Sequence, residues 1–143
     1  MRIADILAAK GSDVATLPPD ATVADAVAEL GRHSIGALVV SADGATIDGI
    51  VSERDVVRRL GADRHGLLAR RLDTVMSAPV HTCAPGDDVE SVMATMTEQR
   101  VRHVPVVRDG RLAGIVSIGD VVKSRIEELQ QERKLLVDYI SAR

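Results

Sequence analysis

The chain has no phenylalanine and no tryptophan, and Tyr139 is its only aromatic residue. Proteins that grip single-stranded nucleic acid stack bases on aromatic rings, and that platform is missing here. Any base held by this chain must lie between aliphatic side chains. Cysteine is almost as scarce. Cys83 stands alone, so no internal disulfide can form. With four histidines it makes no zinc-like spacing. Excess positive charge is lacking too. The formal net charge is −3, which gives no global field to draw in nucleic acid. No run of residues approaches the roughly 20 apolar positions of a membrane span. The opening MRIADILAAKGS is too short in its apolar part for a signal peptide, and Asp5 interrupts it. A cytoplasmic chain is the expectation. Neither a Walker loop nor a dinucleotide-binding glycine signature is present, and no nucleophile has an evident base. An enzyme is not expected.

What remains is ordinary globular composition, with 45% apolar and 27% charged residues. Its organisation is a repeat. Residues 49–57 read GIVSERDVV and residues 114–122 read GIVSIGDVV. The similarity extends upstream. Val23, Ala26, Val27 and Leu30 correspond to Val89, Val92, Met93 and Met96. Both quartets have the i, i+3, i+4, i+7 spacing of one helix face. Thr22 and Asp88 precede them as helix caps. Residues 35–40 and 101–106 are β-branched and apolar runs that read as strands. Asp43-Gly44 and Asp109-Gly110 supply the turns after them. The lead-ins also match: residues 3–7, IADIL, correspond to 72–76, LDTVM.

Each half therefore reads as short strand, helix, two hairpin strands and helix. A half of about 60 residues has little core of its own, so the two are expected to pack sheet to sheet about a pseudo-twofold axis, with paired clefts between them. The boundaries are residues 1–62, a connector at 63–71, residues 72–126, and a helical extension at 127–143. In the extension Val122, Ile126, Leu129, Leu136 and Ile140 form a stripe on one long helix. It could pack on its own domain, but its length favours a second copy of the chain.

The duplicated Ser-x-x-Asp has two readings. Ser52 with Asp55, and Ser117 with Asp120, can each close a capping box, although Glu is the usual partner. The same geometry serves a ligand. A helix N-terminus presents free N–H groups to phosphate, and a carboxylate in the first turn can accept both hydroxyls of a ribose. Gly49 and Gly114 would let a ligand approach the backbone, and Ile50 and Ile115 offer apolar contact to a base.

The repeat, the V-P-V-V strand at 104–107 and the G-I-V-S-x-x-D-V-V endings resemble the cystathionine-β-synthase (CBS) domain, here in tandem. The resemblance implies an α+β fold of two β-α-β-β-α repeats with a long C-terminal helix. It also implies regulatory binding of AMP, ADP, ATP, NAD(H) or S-adenosylmethionine, without catalysis, and control of an unidentified partner protein. Carried over residue by residue, the first site comprises Ile50, Ser52, Asp55, Val80, His81, Arg102 and His103. Asp55 would hold ribose, and Arg102 with His103, supplied by the other repeat, would meet phosphate. The second comprises Val14, Ala15, Gly36, Arg54, Ile115, Ser117 and Asp120. There Gly36 and Ala37 replace the two donors, and Arg54 is expected to compensate in part. Two other readings stay open: a constitutive interaction adaptor with vestigial clefts, and a redox-linked regulator. Cys83 is expected in the core.

Overall fold

The computed structural model describes residues 1–142. Its elements run α1 (Ile3–Lys10), β1 (Thr16–Leu17), α2 (Val23–His33), β2 (Ala37–Val40), β3 (Gly49–Ser52) and α3 (Glu53–Ala62). Two 3-10 turns, Leu67–Ala69 and Leu72–Thr74, fill the connection. The second half continues with α4 (Val89–Gln99), β4 (His103–Arg108), β5 (Arg111–Ser117) and α5 (Ile118–Ser141). This is the expected α+β repeat with its long terminal helix. β1 pairs parallel with β2, and β2 antiparallel with β3. In the second half β4 and β5 form the hairpin, turning at Asp109 and Gly110, both at positive φ. The counterpart of β1 is reduced to a single bridge between Cys83 and Val106.

The pseudo-twofold relation is visible bond by bond. Ile35 N donates to Leu30 O and Val101 N to Met96 O, both at 3.1 Å. Glu53 N donates to Gly36 O at 2.9 Å and Ile118 N to Arg102 O at 2.8 Å. Ser34 and Arg100 both end their helices in the left-handed region, at φ 52° and 54°.

Each half has its own core. Val23, Ala26, Leu30, Leu38, Val40 and Val51 form one; Val89, Val92, Met96, Val104, Val106 and Val116 form the other. Burying such side chains stabilises by about 1.5–3 kcal/mol each. Strand alternation turns Leu38 and Val40 to one face and Val39 to the opposite one, where it too is fully buried.

The lead-ins cross over. Ile3, Ile6 and Leu7 of α1 complete the second core, whereas Leu67, Leu72 and Val75 complete the first. The backbone repeats this exchange: Ile3 N donates to Asp87 O at 2.9 Å, and Leu72 N to Ala21 O at 2.8 Å. Here the glycines of the two GIVS strands find their use, and it is a correction to the sequence reading. A Cβ on Gly49 would stand 2.7 Å from Met76 Cγ, and one on Gly114 would stand 2.8 Å from Leu7 Cδ2. The missing side chains make room for the crossed lead-ins, not for a ligand.

Cys83 lies in the second core. Burial, helped by the nearby Asp87 carboxylate, pushes its thiol pKa up to about 12. The thiolate is the reactive form, so Cys83 is chemically quiet at neutral pH.

α5 packs on the body only through its first turns, where Val121 and Ser124 are buried. From Leu129 to Ala142 every residue is exposed. No helix among the described residues is long and apolar enough to cross a membrane.

Candidate functional site

Both Ser-x-x-Asp segments form closed capping boxes. Asp55 Oδ2 accepts from Ser52 N at 3.1 Å and from Ser52 Oγ at 2.9 Å, and Asp55 N donates to Ser52 Oγ at 3.1 Å. Asp120 Oδ2 accepts from Ser117 N at 2.9 Å, and Asp120 N donates to Ser117 Oγ at 3.2 Å. α2 starts with the same arrangement, Thr22 with Asp25, and α1 has Arg2 N donating to Asp5 Oδ2 at 2.8 Å. Four of the five α-helices thus begin with an aspartate at the third helical position; α4 does not, and its expected cap Asp88 makes no side-chain capping bond. The motif alone does not mark a ligand. What surrounds each copy has to decide.

Around Asp55 the two repeats leave a cavity of about 250 Å³, just below the roughly 300–1,000 Å³ common for ligand clefts. Ile50, Ser52 and Asp55 line it from the first repeat, and Arg102 and His103 from the second. Five of the seven residues named for the first site therefore meet. Val80 and His81 are not among those lining it. The chain reaches this wall at Ser77, whose backbone exchanges hydrogen bonds with Ile50, N to O at 3.1 and 3.0 Å.

Gly36 and Arg54, expected at the second cleft, line this first cavity instead. The reason is local. Arg54 follows Ser52 on the first turn of α3 and stays with its own helix end. Gly36 lies beside His103, whose Nε2 would be 3.0 Å from a Cβ there. Arg58 and Arg100 also line the cavity and were absent from the sequence reading. Arg58 is three residues beyond Asp55, on the same helix face, a spacing that could have indicated it. Arg100 owes its place to the left-handed turn ending α4, which sequence periodicity does not show.

Four arginines thus converge on a cavity whose acidic residues are Glu53 and Asp55. Among the described residues none of the four forms an ion pair. In a chain of net charge −3 this is a local positive cleft, chemically suited to an anion. His103 is half-buried, and burial lowers its pKa; Glu53 opposes that shift, and Lys10 adds to it. Burial thus favours the neutral imidazole.

The second site is built differently: Asp120 lines a cavity of about 190 Å³ with Lys10, Asp5, Lys123 and Glu127, and Val14, Ala15, Ile115 and Ser117 are not among its lining residues. Lys10 Nζ lies 2.7 Å from Asp120 Oδ2 and 3.0 Å from Ile115 O. Burial raises the Asp120 pKa, but the Lys10 and Ser117 hydrogen bonds outweigh it, and the carboxyl stays below its ordinary value. Val14 and Ala15 are partly buried, with Ala15 packed against the first core and its carbonyl accepting from Val39 N at 3.0 Å. Among the described residues no His, Cys, Asp and Glu group is arranged to hold a metal ion.

A crossed pair of such repeats, with a cavity shared by both at the start of α3, defines a class of regulatory module. The chain belongs to the CBS-domain family, whose model matches residues 3–62 and again 72–127. It is similar to a mitochondrial CBS domain-containing protein of Arabidopsis thaliana, 35% identical over 96% of this chain and 71% of the relative. The fold matches a CBS-domain protein of Agrobacterium tumefaciens at TM-score 0.83 and 42% identity, covering 87% of this chain and 99% of the other. It also matches a CBS domain protein of Pyrobaculum aerophilum, solved in complex with AMP, at TM-score 0.74 and 31% identity over 84% of this chain and 89% of that one.

Proposed function

We propose that this chain is a regulatory module that binds a phosphate-bearing adenine nucleotide in its first cleft and changes its affinity for a partner protein in response. The observation that carries this reading is the joint wall of the cavity. Ser52 and Asp55 come from one repeat, Arg100, Arg102 and His103 from the other. A nucleotide bridging them ties the repeats together, with ribose on Asp55, adenine against Ile50 and phosphate among the arginines. The AMP complex of the Pyrobaculum relative supports the ligand class. The positive wall favours AMP, ADP or ATP over S-adenosylmethionine, whose sulfonium is itself cationic. A ligand shifts such a module only by its differential affinity for two states, and a cleft shared by both repeats provides that difference. The module acts by binding and not by turnover.

The module is homodimeric in this reading, pairing through α5. Ile126, Leu129, Leu136 and Ile140 are all exposed along it. Cys83 is not itself a redox group in this reading, because it is buried and its thiol pKa is raised.

Thermal unfolding with AMP, ADP, ATP, NADH and S-adenosylmethionine tests the reading. A ligand at about 100 times its Kd adds roughly 2.7 kcal/mol to stability. The phosphate-rich nucleotides are expected to do so. No stabilisation by any of the five at millimolar concentration would favour a constitutive adaptor.

A further inference from the structure

The two clefts differ most at the ribose carboxylate, and the difference comes from the N-terminal helix. Leu7 and Lys10 are three residues apart and share a face of α1. Leu7 is seated on Gly114, so closely that a Cβ there would meet two of its methyl carbons within 2.9 Å. That contact fixes the last turn of α1 over the junction of β5 and α5. Lys10 is the basic residue of that turn, and Gly11, at φ 98°, leads the chain away directly after it. The ammonium therefore has a set position. It donates to the Asp120 carboxylate at 2.7 Å and to the Ile115 carbonyl at 3.0 Å. These are the counterparts of the carboxylate and the apolar strand residue that the first cleft leaves facing its cavity.

The other lead-in offers no such group. The match of residues 3–7 with 72–76 places Pro79 opposite Lys10. Proline has neither a side-chain donor nor a backbone N–H. On that side the strand is met instead by the uncharged Ser77 backbone. Asp55 makes no ion pair among the described residues, whereas Asp120 makes one.

We infer that Lys10 is an internal occupant of the second cleft, holding the place of the ribose hydroxyls and closing that cleft to nucleosides. An ammonium and a ribose both satisfy a carboxylate by donating hydrogen bonds, and they cannot share Oδ2 and its approach. The cavity that Lys10 and Asp120 line has Lys123 as its one other cation, set against Asp5 and Glu127, and none of the four arginines of the first cavity, so phosphate contributes little there to displacing the ammonium. The ligand class excluded is a ribose-bearing one with a weakly charged far end, for which adenosine is the probe. This inference rests on the proposed function for its ligand, and the test separates the two.

Calorimetric titrations with ADP and with adenosine compare the wild type with Lys10→Met and Lys10→Gln, all checked for wild-type unfolding behaviour. The wild type is expected to bind one ligand per chain. The Lys10 variants are expected to bind about two, the added site taking adenosine at least as readily as ADP, because releasing the ammonium raises the population of an open cleft. Adding Asp120→Ala should remove the new site. NMR titration of the Asp120 carboxyl, with His103 as the other titrating group nearby, should show its pKa rising in Lys10→Met. A wild type with two sites, or variants with still only one beside a normal first cleft, would overturn the role of Lys10 and leave the first-cleft reading standing. Binding by the variants alone would uphold Lys10 and overturn the first cleft. Binding by neither would overturn both.

Discussion

The starts of α3 and α5 are the same sequence device in two settings. Ser52 and Asp55 close their box beside an open cavity lined by four arginines that make no ion pair among the described residues. Ser117 and Asp120 close theirs under Lys10. One copy has its charge facing a cleft, and the other has it neutralised from within the chain. Duplication preserved the cap, and the flanking residues then gave each copy its chemistry. A repeated motif therefore identifies a local geometry, and function has to be read from residues the repeat does not share.

The comparison breaks most sharply at the carboxylates. Asp55→Ala should weaken nucleotide binding by about 1.5–3 kcal/mol through loss of a charge-assisted hydrogen bond, roughly ten- to a hundredfold in affinity. Asp120→Ala should leave affinity for the first cleft unchanged. Calorimetry on both variants decides between a ligand role and capping, since loss of a cap alone costs about 1 kcal/mol of stability and no affinity.

The two crossed lead-ins can be compared through their glycines. Gly49→Ala and Gly114→Ala each crowd a packed neighbour, which costs typically about 1–3 kcal/mol. The effect should be larger at Gly49. There the new Cβ meets Met76 at Cγ and Cβ, close to its backbone, whereas at Gly114 it meets the methyl tips of Leu7. Denaturant unfolding measures both, and equal costs would mean that the two contacts yield alike.

Acid should act through His103, beside both clefts. Its folded-state pKa is depressed, chiefly by burial. The unfolded chain therefore takes up the proton first as pH falls, beginning around 6.5, and stability declines from there down to the folded pKa. The Lys10–Asp120 pair should persist through that interval. With Asp120 depressed, its contribution is present above the unfolded carboxylate pKa and lost only as pH falls through the lower folded value. His103→Gln should flatten the slope between pH 7 and pH 5 in unfolding experiments, and an unchanged slope would assign it to other groups.

The smallest effect on stability is expected at the tail. Ending the chain after Glu128 removes a segment whose described residues, 129–142, are all exposed, so monomer stability should change by no more than about 0.5 kcal/mol. Sedimentation should nevertheless show weaker self-association, and an unchanged dimer would move the interface onto the repeats.

Much of this fold could be read before any coordinates, because the repeat constrains it twice. Helix faces at Val23–Leu30 and Val89–Met96, the Asp109-Gly110 turn and the long α5 all follow local rules of period and turn chemistry. The crossing of the lead-ins did not follow from them. A five-residue similarity between 3–7 and 72–76 shows correspondence but not which core each segment joins. The first cleft was partly legible: Ser52, Asp55, Arg102 and His103 came from motif and resemblance. Arg100 was hidden by a left-handed helix end and Arg58 by lying beyond the motif. Lys10 was hidden because its significance is a difference between repeats, with Pro79 in the corresponding place, and a repeat shows only what its copies share.

The central claim is that the first cleft holds a nucleotide by its phosphate as well as its ribose. The direct measurement is the affinity ratio of AMP to adenosine, taken by calorimetry on the wild type and on Arg102→Ala. The wild type should prefer AMP, and the variant should lose most of that preference while its adenosine affinity stays the same. Equal binding of AMP and adenosine by the wild type, or a preference untouched by the substitution, would contradict the account.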